Sequence, residues 1–234
     1  WVSIYWIFAL IAVIMVVVIL FSGFPKVELN EEEKIGNLDT IVELLKNKYV
    51  ILFFFGIFAY VGTEQGVASW ISKYLADYHG MNPEVEGAQA ISWFWGLLTI
   101  GCFLGLGLLK LMDSKMVLRI FSVAAMISLA TALITSNGIV AYYGFIGVGF
   151  FASVMWSVIF SLSLNSLKNN HGAFSGILCS GIIGGAIVPL IVGILGDAFG
   201  LRVGISFVFI TLSYIFSISF WANPLIKNKT ISLK

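Results

Sequence analysis

The sequence predicts an all-α protein, a polytopic bundle of transmembrane helices. Apolar residues make up 59% of its 234 positions, charged residues only 11%, and the mean hydropathy is +1.01. Soluble domains carry about 25% charged residues, so a chain of this composition cannot cover its surface with polar groups in water. Apolar runs of about 18 residues or more recur along the chain, which is typical of membrane-spanning helices.

Seven apolar segments are long enough to cross ~30 Å of hydrocarbon at ~1.5 Å per residue. Because lipid offers backbone groups no hydrogen-bond partners, we expect each segment to be a helix. We place the spans at 4–24, 50–76, 91–112, 116–136, 139–164, 173–196 and 203–224. The predicted organisation is a first transmembrane helix at 1–24, a linker at 25–49, a six-helix bundle at 50–224 and a tail at 225–234. The chain opens on Trp1 rather than Met, and we expect it to be truncated at its start.

The linker at 25–49 is the longest and most charged connection. Its second half, 37–49, sets apolar residues on one helical face and charged residues on the other. Two interpretations remain open, a short helix on the membrane surface and an ordinary solvated linker helix.

The basic residues predict the orientation, since Lys and Arg concentrate on the cytoplasmic side of membrane proteins. Ten lysines and Arg119 fall on the side that holds the linker and the C-terminus, whereas only Lys73 and Arg202 fall on the other. We therefore expect a multi-pass protein of the plasma membrane, the inner membrane in bacteria, with a cytoplasmic C-terminus.

Several classes of function are excluded by what the sequence lacks. A net charge of +1 gives no bulk attraction to nucleic acid. There is no phosphate-binding glycine loop, metalloprotease motif or nucleophile elbow, and His79 and His171 fall at opposite membrane edges. We therefore predict no enzyme activity, metal or cofactor. Cys102 and Cys179 lie within apolar runs, where we expect two buried small residues.

Glu64 is the main candidate functional residue, because it is the only acidic residue well inside a predicted span. An ionisable group at that depth costs several kcal/mol unless it pairs, takes up a proton or contacts water. It precedes Gln65 and lies between Gly62 and Gly66. Three interpretations stay open: an acceptor for sugar hydroxyls, a proton carrier, and a carboxyl group that hydrogen-bonds another helix for packing.

The span at 139–164 carries a second candidate group. Ser153, Ser157 and Ser161 recur every four residues and so share one helical face, with Trp156 beside them. A serine stripe can line a wet cavity, and an indole can stack on the apolar face of a sugar ring. The alternative is a packing stripe with a core tryptophan.

Small residues predict close helix crossings in two spans. Gly101 and Gly105 are spaced by four residues in one span, and the span at 173–196 repeats this spacing. The predicted packing and conformational positions are Gly101, Gly105, Gly181, Gly184, Gly185 and Pro189. A proline inside a helix kinks it, which suits a gate that bends.

These residues occur in short motifs whose order is informative. They are YVGTE at 60–64, WG at 95–96, GCFLG at 101–105, MWSVIFSL at 155–162, GIIGGAIVP at 181–189 and GD at 196–197. In this order they resemble the C-terminal half of the fucose:H⁺ symporter family of the major facilitator superfamily, and in particular its bacterial glucose/galactose transporter branch. The chain departs from the family at Cys102, where members often have Arg, and at Ser157, where a Pro often follows the Trp.

The resemblance implies proton-coupled uptake of a monosaccharide by alternating access. Glu64 and Gln65 would then contact substrate, Trp156 would be a stacking wall and Ser157 a polar partner, with Glu64 also the candidate for proton coupling. The resemblance further implies that the helix at 1–24 is the sixth of the full transporter, and that the partner is the missing N-terminal half of the same transporter. Two alternatives remain: a transporter of another small solute and a membrane protein that senses sugar without transport. A channel is disfavoured because no span shows rings of charge or a filter-like segment.

Overall fold

The computed structural model describes residues 2–22 and 38–226, which fall in two separate units. In the first unit α1 spans Val2–Phe21, is almost entirely apolar and has no buried residue. In the second unit the helices are α2 Leu38–Lys46, α3 Lys48–Ala68, α4 Ile71–His79, α5 Ala88–Leu111, α6 Ser114–Ile134, α7 Gly138–Ala152, α8 Met155–Leu164, α9 His171–Ser180, α10 Gly184–Phe199, α11 Leu201–Ser206 and α12 Val208–Trp221. The acidic part of the linker and the end of the tail lie outside the described residues.

The fold class predicted from the sequence is confirmed. All regular structure over 2–22 and 38–226 is helical, and seven helical stretches there are long and apolar enough to cross a bilayer. Large apolar side chains such as Phe103, Ile127 and Leu190 cover the outer faces, more than half exposed. A surface of this kind suits lipid rather than water.

Polar residues at the turns fix where several helices begin. Asn47, Asp113 and Asn137 each precede a helix, and each side-chain oxygen accepts a hydrogen bond from the backbone two residues later, at 2.9 Å. Such caps satisfy N–H groups that have no partner inside the helix. Gly80 ends α4 in the left-handed conformation, with φ 64°, which glycine adopts at little cost.

Helix α3 is the centre of the second unit. It contacts α2, α7, α8, α9, α10 and α12. Its buried residues include Phe53, Ile57 and Val67, all at 0% exposure. The short helix α2 packs on α3 and α9, where Leu44 is 7% exposed. That face of α2 therefore binds the bundle, whichever environment its polar face meets.

Four predicted spans contain a break in the structure. Helices α3 and α4 are separated at residues 69–70, α7 and α8 at 153–154, and α11 and α12 at residue 207, while residues 181–183 form a tight 3₁₀ turn between α9 and α10. At the α7–α8 break the Cys102 thiol donates to the backbone carbonyl of Ser153 at 3.3 Å. That bond occupies a carbonyl that a continuous helix would use internally.

The last described residues are tied to neighbouring helices. Lys115 Nζ donates to the carbonyl of Ala222 at 2.8 Å, just past the end of α12, where a cation is favourable. Asn165, at the end of α8, binds the segment that follows α12 at Leu225 and Ile226. Its carbonyl accepts from Leu225 N at 2.8 Å, its Nδ2 donates to the Ile226 carbonyl at 2.6 Å, and its Oδ1 accepts from Ile226 N at 3.1 Å.

Candidate functional site

The α7–α8 break opens onto a cavity of about 390 Å³, which we call the Tyr60 cavity. Helices α3, α5 and α8 supply its wall together with the break itself. Its lining residues are Tyr60, Cys102, Phe103, Leu106, Ser153, Trp156 and Ser157. Both Trp156 and Ser157, predicted from the sequence as substrate contacts, therefore lie on one cavity.

Aromatic rings build one side of the Tyr60 cavity. The Tyr60 and Trp156 rings meet edge to face with centroids 5.8 Å apart, and Trp156 stacks on Phe160 with centroids 6.1 Å apart and planes 13° apart. Edge-to-face and offset-stacked pairs are the favoured arrangements for aromatic rings. The indole is thus held between two neighbours instead of turning freely, and it presents an apolar wall of fixed orientation.

A larger cavity of about 830 Å³, the Lys168 cavity, adjoins the first through Trp156 and Ser157, which line both. Its lining residues are Trp156, Ser157, Phe160, Ser161, Leu164, Asn165, Leu167, Lys168, His171, Leu225 and Ile226. The three serines of the predicted stripe follow one another along the two cavities, Ser153 in the smaller, Ser157 in both and Ser161 in the larger. The stripe therefore marks a continuous path along α8.

Glu64 lies one turn beyond Tyr60 on α3 and is partly buried. The Tyr60 and Glu64 side chains are one turn apart on the same face of α3 and interact electrostatically. The Tyr60 side chain lines the cavity and Glu64 does not, so Tyr60 is the lining residue that neighbours this carboxyl group. Among the described residues Glu64 forms no salt bridge with a basic side chain.

Gln65 is placed apart from the other candidates. Its side chain lies against Gly185 of α10, where an added Cβ would stand 3.1 Å from Gln65 Cγ. Consecutive residues of a helix point about 100° apart, so Glu64 and Gln65 face different neighbours. Gln65 lines neither the Tyr60 cavity nor the Lys168 cavity.

Cys102 and Ser153 form the polar edge of the Tyr60 cavity. Both cysteines are exposed on the bundle, which corrects the expectation that they are buried. The Ser153 side chain is 4% exposed, and its hydroxyl group has no hydrogen-bond partner among the described residues. A buried hydroxyl without a partner costs free energy, and this one lies against Gly101 of α5, where an added Cβ would overlap it.

The predicted small-residue positions lie where helices approach closely. An added Cβ at Gly101 or Gly105 would overlap Ser153 or Val154 at the α7–α8 break. Gly181 and Gly184 pack on the backbone of α3, and Gly185 on its side chains. Pro189 lies inside α10, and its carbonyl accepts a hydrogen bond from Trp70 Nε1 at 3.2 Å. Two pairs of helices, α5 with α7–α8 and α3 with α10, thus frame the site.

Sequence reasoning singled out Trp156 and Ser157 but missed Tyr60 and Cys102 as lining residues. Tyr60 precedes Glu64 by four residues, so their shared helical face was a usable signal. For Cys102 no signal existed, because its position depends on how α5 meets the break in α7–α8.

A multi-pass helical bundle with a half-open, aromatic and polar cavity beside an intramembrane carboxyl group is the architecture of a membrane transporter. The family model described as Major Facilitator Superfamily matches residues 1–181. The chain belongs to the major facilitator superfamily, as the sequence motifs predicted.

Known relatives support the same placement. The chain is 36% identical over 170 residues to the glucose/galactose transporter of Brucella abortus, covering 72% of this chain and 41% of that protein. It is 27% identical over 189 residues to a putative glucose/galactose transporter of Helicobacter pylori, covering 81% and 45%. These relatives are transporters and not enzymes, as predicted. The chain spans less than half the length of both.

Solved structures confirm the fold. The crystal structure of the E. coli fucose:proton symporter matches with a TM-score of 0.80 at 21% identity, covering 94% of this chain and 54% of that one. A second crystal structure, of the same symporter in the outward conformation, matches equally well.

Proposed function

We propose that this chain forms the C-terminal half of a secondary transporter that takes up a monosaccharide of the glucose/galactose or fucose type together with protons. The observation that carries the proposal is the Tyr60 cavity, in which the Trp156 indole, the Ser157 hydroxyl group and the Tyr60 phenol, one turn from Glu64, meet in one place. The named transport substrates of the relatives agree with this chemistry.

The cavity has the two surfaces that a sugar ring needs. One face of a pyranose is made of C–H groups, which pack on an aromatic ring, and its hydroxyl groups require donors and acceptors. Trp156 supplies the aromatic face. Ser157 supplies a hydroxyl group, which already donates to the Val154 carbonyl at 3.1 Å and so keeps its oxygen as an acceptor.

Glu64 is the proton carrier in this proposal. A carboxyl group at this depth without a basic partner is favoured to exchange a proton rather than to hold a permanent charge. Substrate entering the Tyr60 cavity touches the phenol that contacts this carboxyl group, so sugar binding and protonation are coupled through Tyr60. Gln65, against α10, acts on the packing of α3 with α10 in this scheme and not on the sugar directly.

Alternating access requires a second half to close the exposed side of both cavities. We infer that a further six-helix bundle packs there, in agreement with the greater length of the relatives. The excess of basic residues on the linker side supports a cytoplasmic location for that side and for the C-terminus.

The test is uptake of labelled glucose, galactose and fucose into proteoliposomes by the protein that contains this chain, with and without an inward proton gradient. We expect Trp156→Ala to abolish uptake, because the stacking wall is lost. Glu64→Gln is expected to retain sugar exchange but lose acceleration by the gradient.

Trp93→Ala is the matched control, since Trp93 is 55% exposed and outside both cavities. Uptake by the Trp156 variant equal to that of the Trp93 variant would refute the proposed site. A gradient response that survives Glu64→Gln would refute the proton role alone.

A further inference from the structure

A third hollow lies at the other end of the bundle from the Lys168 cavity. Helices α3 and α4 cross the bundle once, from Lys48 on the side of Lys168 to His79 on the opposite side, and the hollow lies near His79. Its volume is about 330 Å³, and we call it the Trp70 hollow. It lies where the α3–α4 break, the end of α10 and the start of α11 meet. Its wall carries the charged side chains Lys73, Asp77 and Asp197, whereas no charged side chain lines the Tyr60 cavity.

The indole of Trp70 is held in place by two contacts. Its Nε1 donates to the Pro189 carbonyl at 3.2 Å, and Gly193 leaves the space that the ring occupies. A Cβ at Gly193 would stand 2.9 Å from Trp70 Cζ2. Further along, Gly200 ends α10 with φ 91°, and Gly196 adds no side chain to the wall. The Trp70 hollow stays open because the three glycines place no side chain beside the Trp70 ring.

Tyr78 is equally fixed. It stacks on Tyr74 with ring centroids 4.6 Å apart and planes 20° apart. Its hydroxyl group accepts from Arg202 N at 3.3 Å, and the Arg202 guanidinium group lies 5.0 Å from the ring centroid. A binding surface that is already rigid loses little entropy when a ligand arrives.

Two carboxylates line the hollow in positions that helix stability does not favour. Asp77 is in the last turn of α4 and Asp197 in the last turn of α10, where the helix end carries partial negative charge. Lys73 Nζ pairs with Asp77 at 2.9 Å and also interacts with Asp197 through their charges. Asp197 lines the hollow, is exposed, and makes no hydrogen bond or short ion pair within the described residues.

We propose that the Trp70 hollow is a second monosaccharide-binding site, which captures the sugar at the extracellular mouth before it reaches the Tyr60 cavity. An indole packs on the C–H face of a sugar, carboxylates accept from its hydroxyl groups, and an ammonium group donates to them. A metal ion fits less well, because residues 2–22 and 38–226 contain no group of three metal-binding side chains and Lys73 already pairs with Asp77. This inference rests on the proposed sugar transport and on the orientation given by the basic residues.

Uptake kinetics test the proposal, with Asp197→Asn and Trp70→Phe compared to Glu84→Gln. Glu84 is exposed on the same membrane side and outside the hollow, so it controls for a lost negative charge. We expect both hollow variants to raise the KM for entry about five-fold, the size of one lost hydrogen bond or of a reduced aromatic contact, with unchanged kcat. A KM equal to that of Glu84→Gln overturns the proposal. A wild-type protein that takes up no sugar refutes the proposed function itself.

Thiol labelling gives a second readout that does not depend on turnover. In a background where Cys102 and Cys179 are replaced by alanine, Asp197→Cys is treated from outside with a membrane-impermeant maleimide. We expect glucose to slow this labelling several-fold and to leave Glu84→Cys unaffected. Equal rates with and without glucose at position 197, or labelling only from the inside, overturn the proposal.

Discussion

Replacing Gly184 by alanine is expected to separate α10 from α3 and destabilise the bundle. An added Cβ would stand 2.8 Å from the carbonyl carbon of Phe58 and 2.9 Å from its Cα, and it would overlap the carbonyl oxygen. These are backbone atoms in the middle of α3, so no side chain can turn away. Overpacking of this kind costs about 1–3 kcal/mol. The better helix propensity of alanine returns up to about 1 kcal/mol, which leaves a net loss of about 2 kcal/mol at the upper end of the overpacking range, the end expected for a clash with backbone atoms.

Gly107→Ala is the matched control, because a Cβ at Gly107 meets no atom within 4 Å. There the helix propensity acts alone and stabilises by about 1 kcal/mol or less. For a domain of this size about 1 kcal/mol moves the Tm by roughly 2–4 °C. Thermal unfolding in detergent should therefore give a Tm several degrees lower for the Gly184 variant and slightly higher for the Gly107 variant. A Gly184 variant as stable as the control would refute the close approach of α10 to α3.

Three further predictions concern the cavities and the chain end. Tyr60→Phe should weaken the acceleration of uptake by a proton gradient while sugar exchange persists, measured in proteoliposomes; an unchanged gradient response would contradict the link to Glu64. A maleimide should modify both Cys102 and Cys179, but a bound monosaccharide should protect only Cys102, and equal protection would place the sugar elsewhere. Asn165→Ala should lower the Tm by a few degrees, because it removes two side-chain hydrogen bonds to Ile226. An unaltered Tm would show that these two bonds do not stabilise the protein.

The sequence predicted the helices well and their interruptions poorly. Membrane spans follow from long apolar runs, which are a strong and local signal. The break at 153–154 depends on Cys102 of another helix, and the 3₁₀ turn at 181–183 depends on the close approach of Gly181 to α3. Contacts between distant segments leave no periodic trace in a single sequence.

The candidate site, too, was predicted only in part from the sequence. Trp156 and Ser157 share one helix and its face, so their common cavity follows from helical spacing alone. Glu64 and Gln65 looked equivalent because they are adjacent, but one turns towards Tyr60 and the other towards Gly185. Which neighbour each residue meets is decided by helix packing, and the sequence contains that information only indirectly.

The attachment of the chain end has a practical consequence for measuring motion. The last described residues leave α12 but are bonded to Asn165 at the end of α8, and α8 carries the cavity residues. A fluorophore placed on Ile226 therefore reports the displacement of α8. A second dye on α6, near Lys115, would make the distance between the two labels a measure of that displacement.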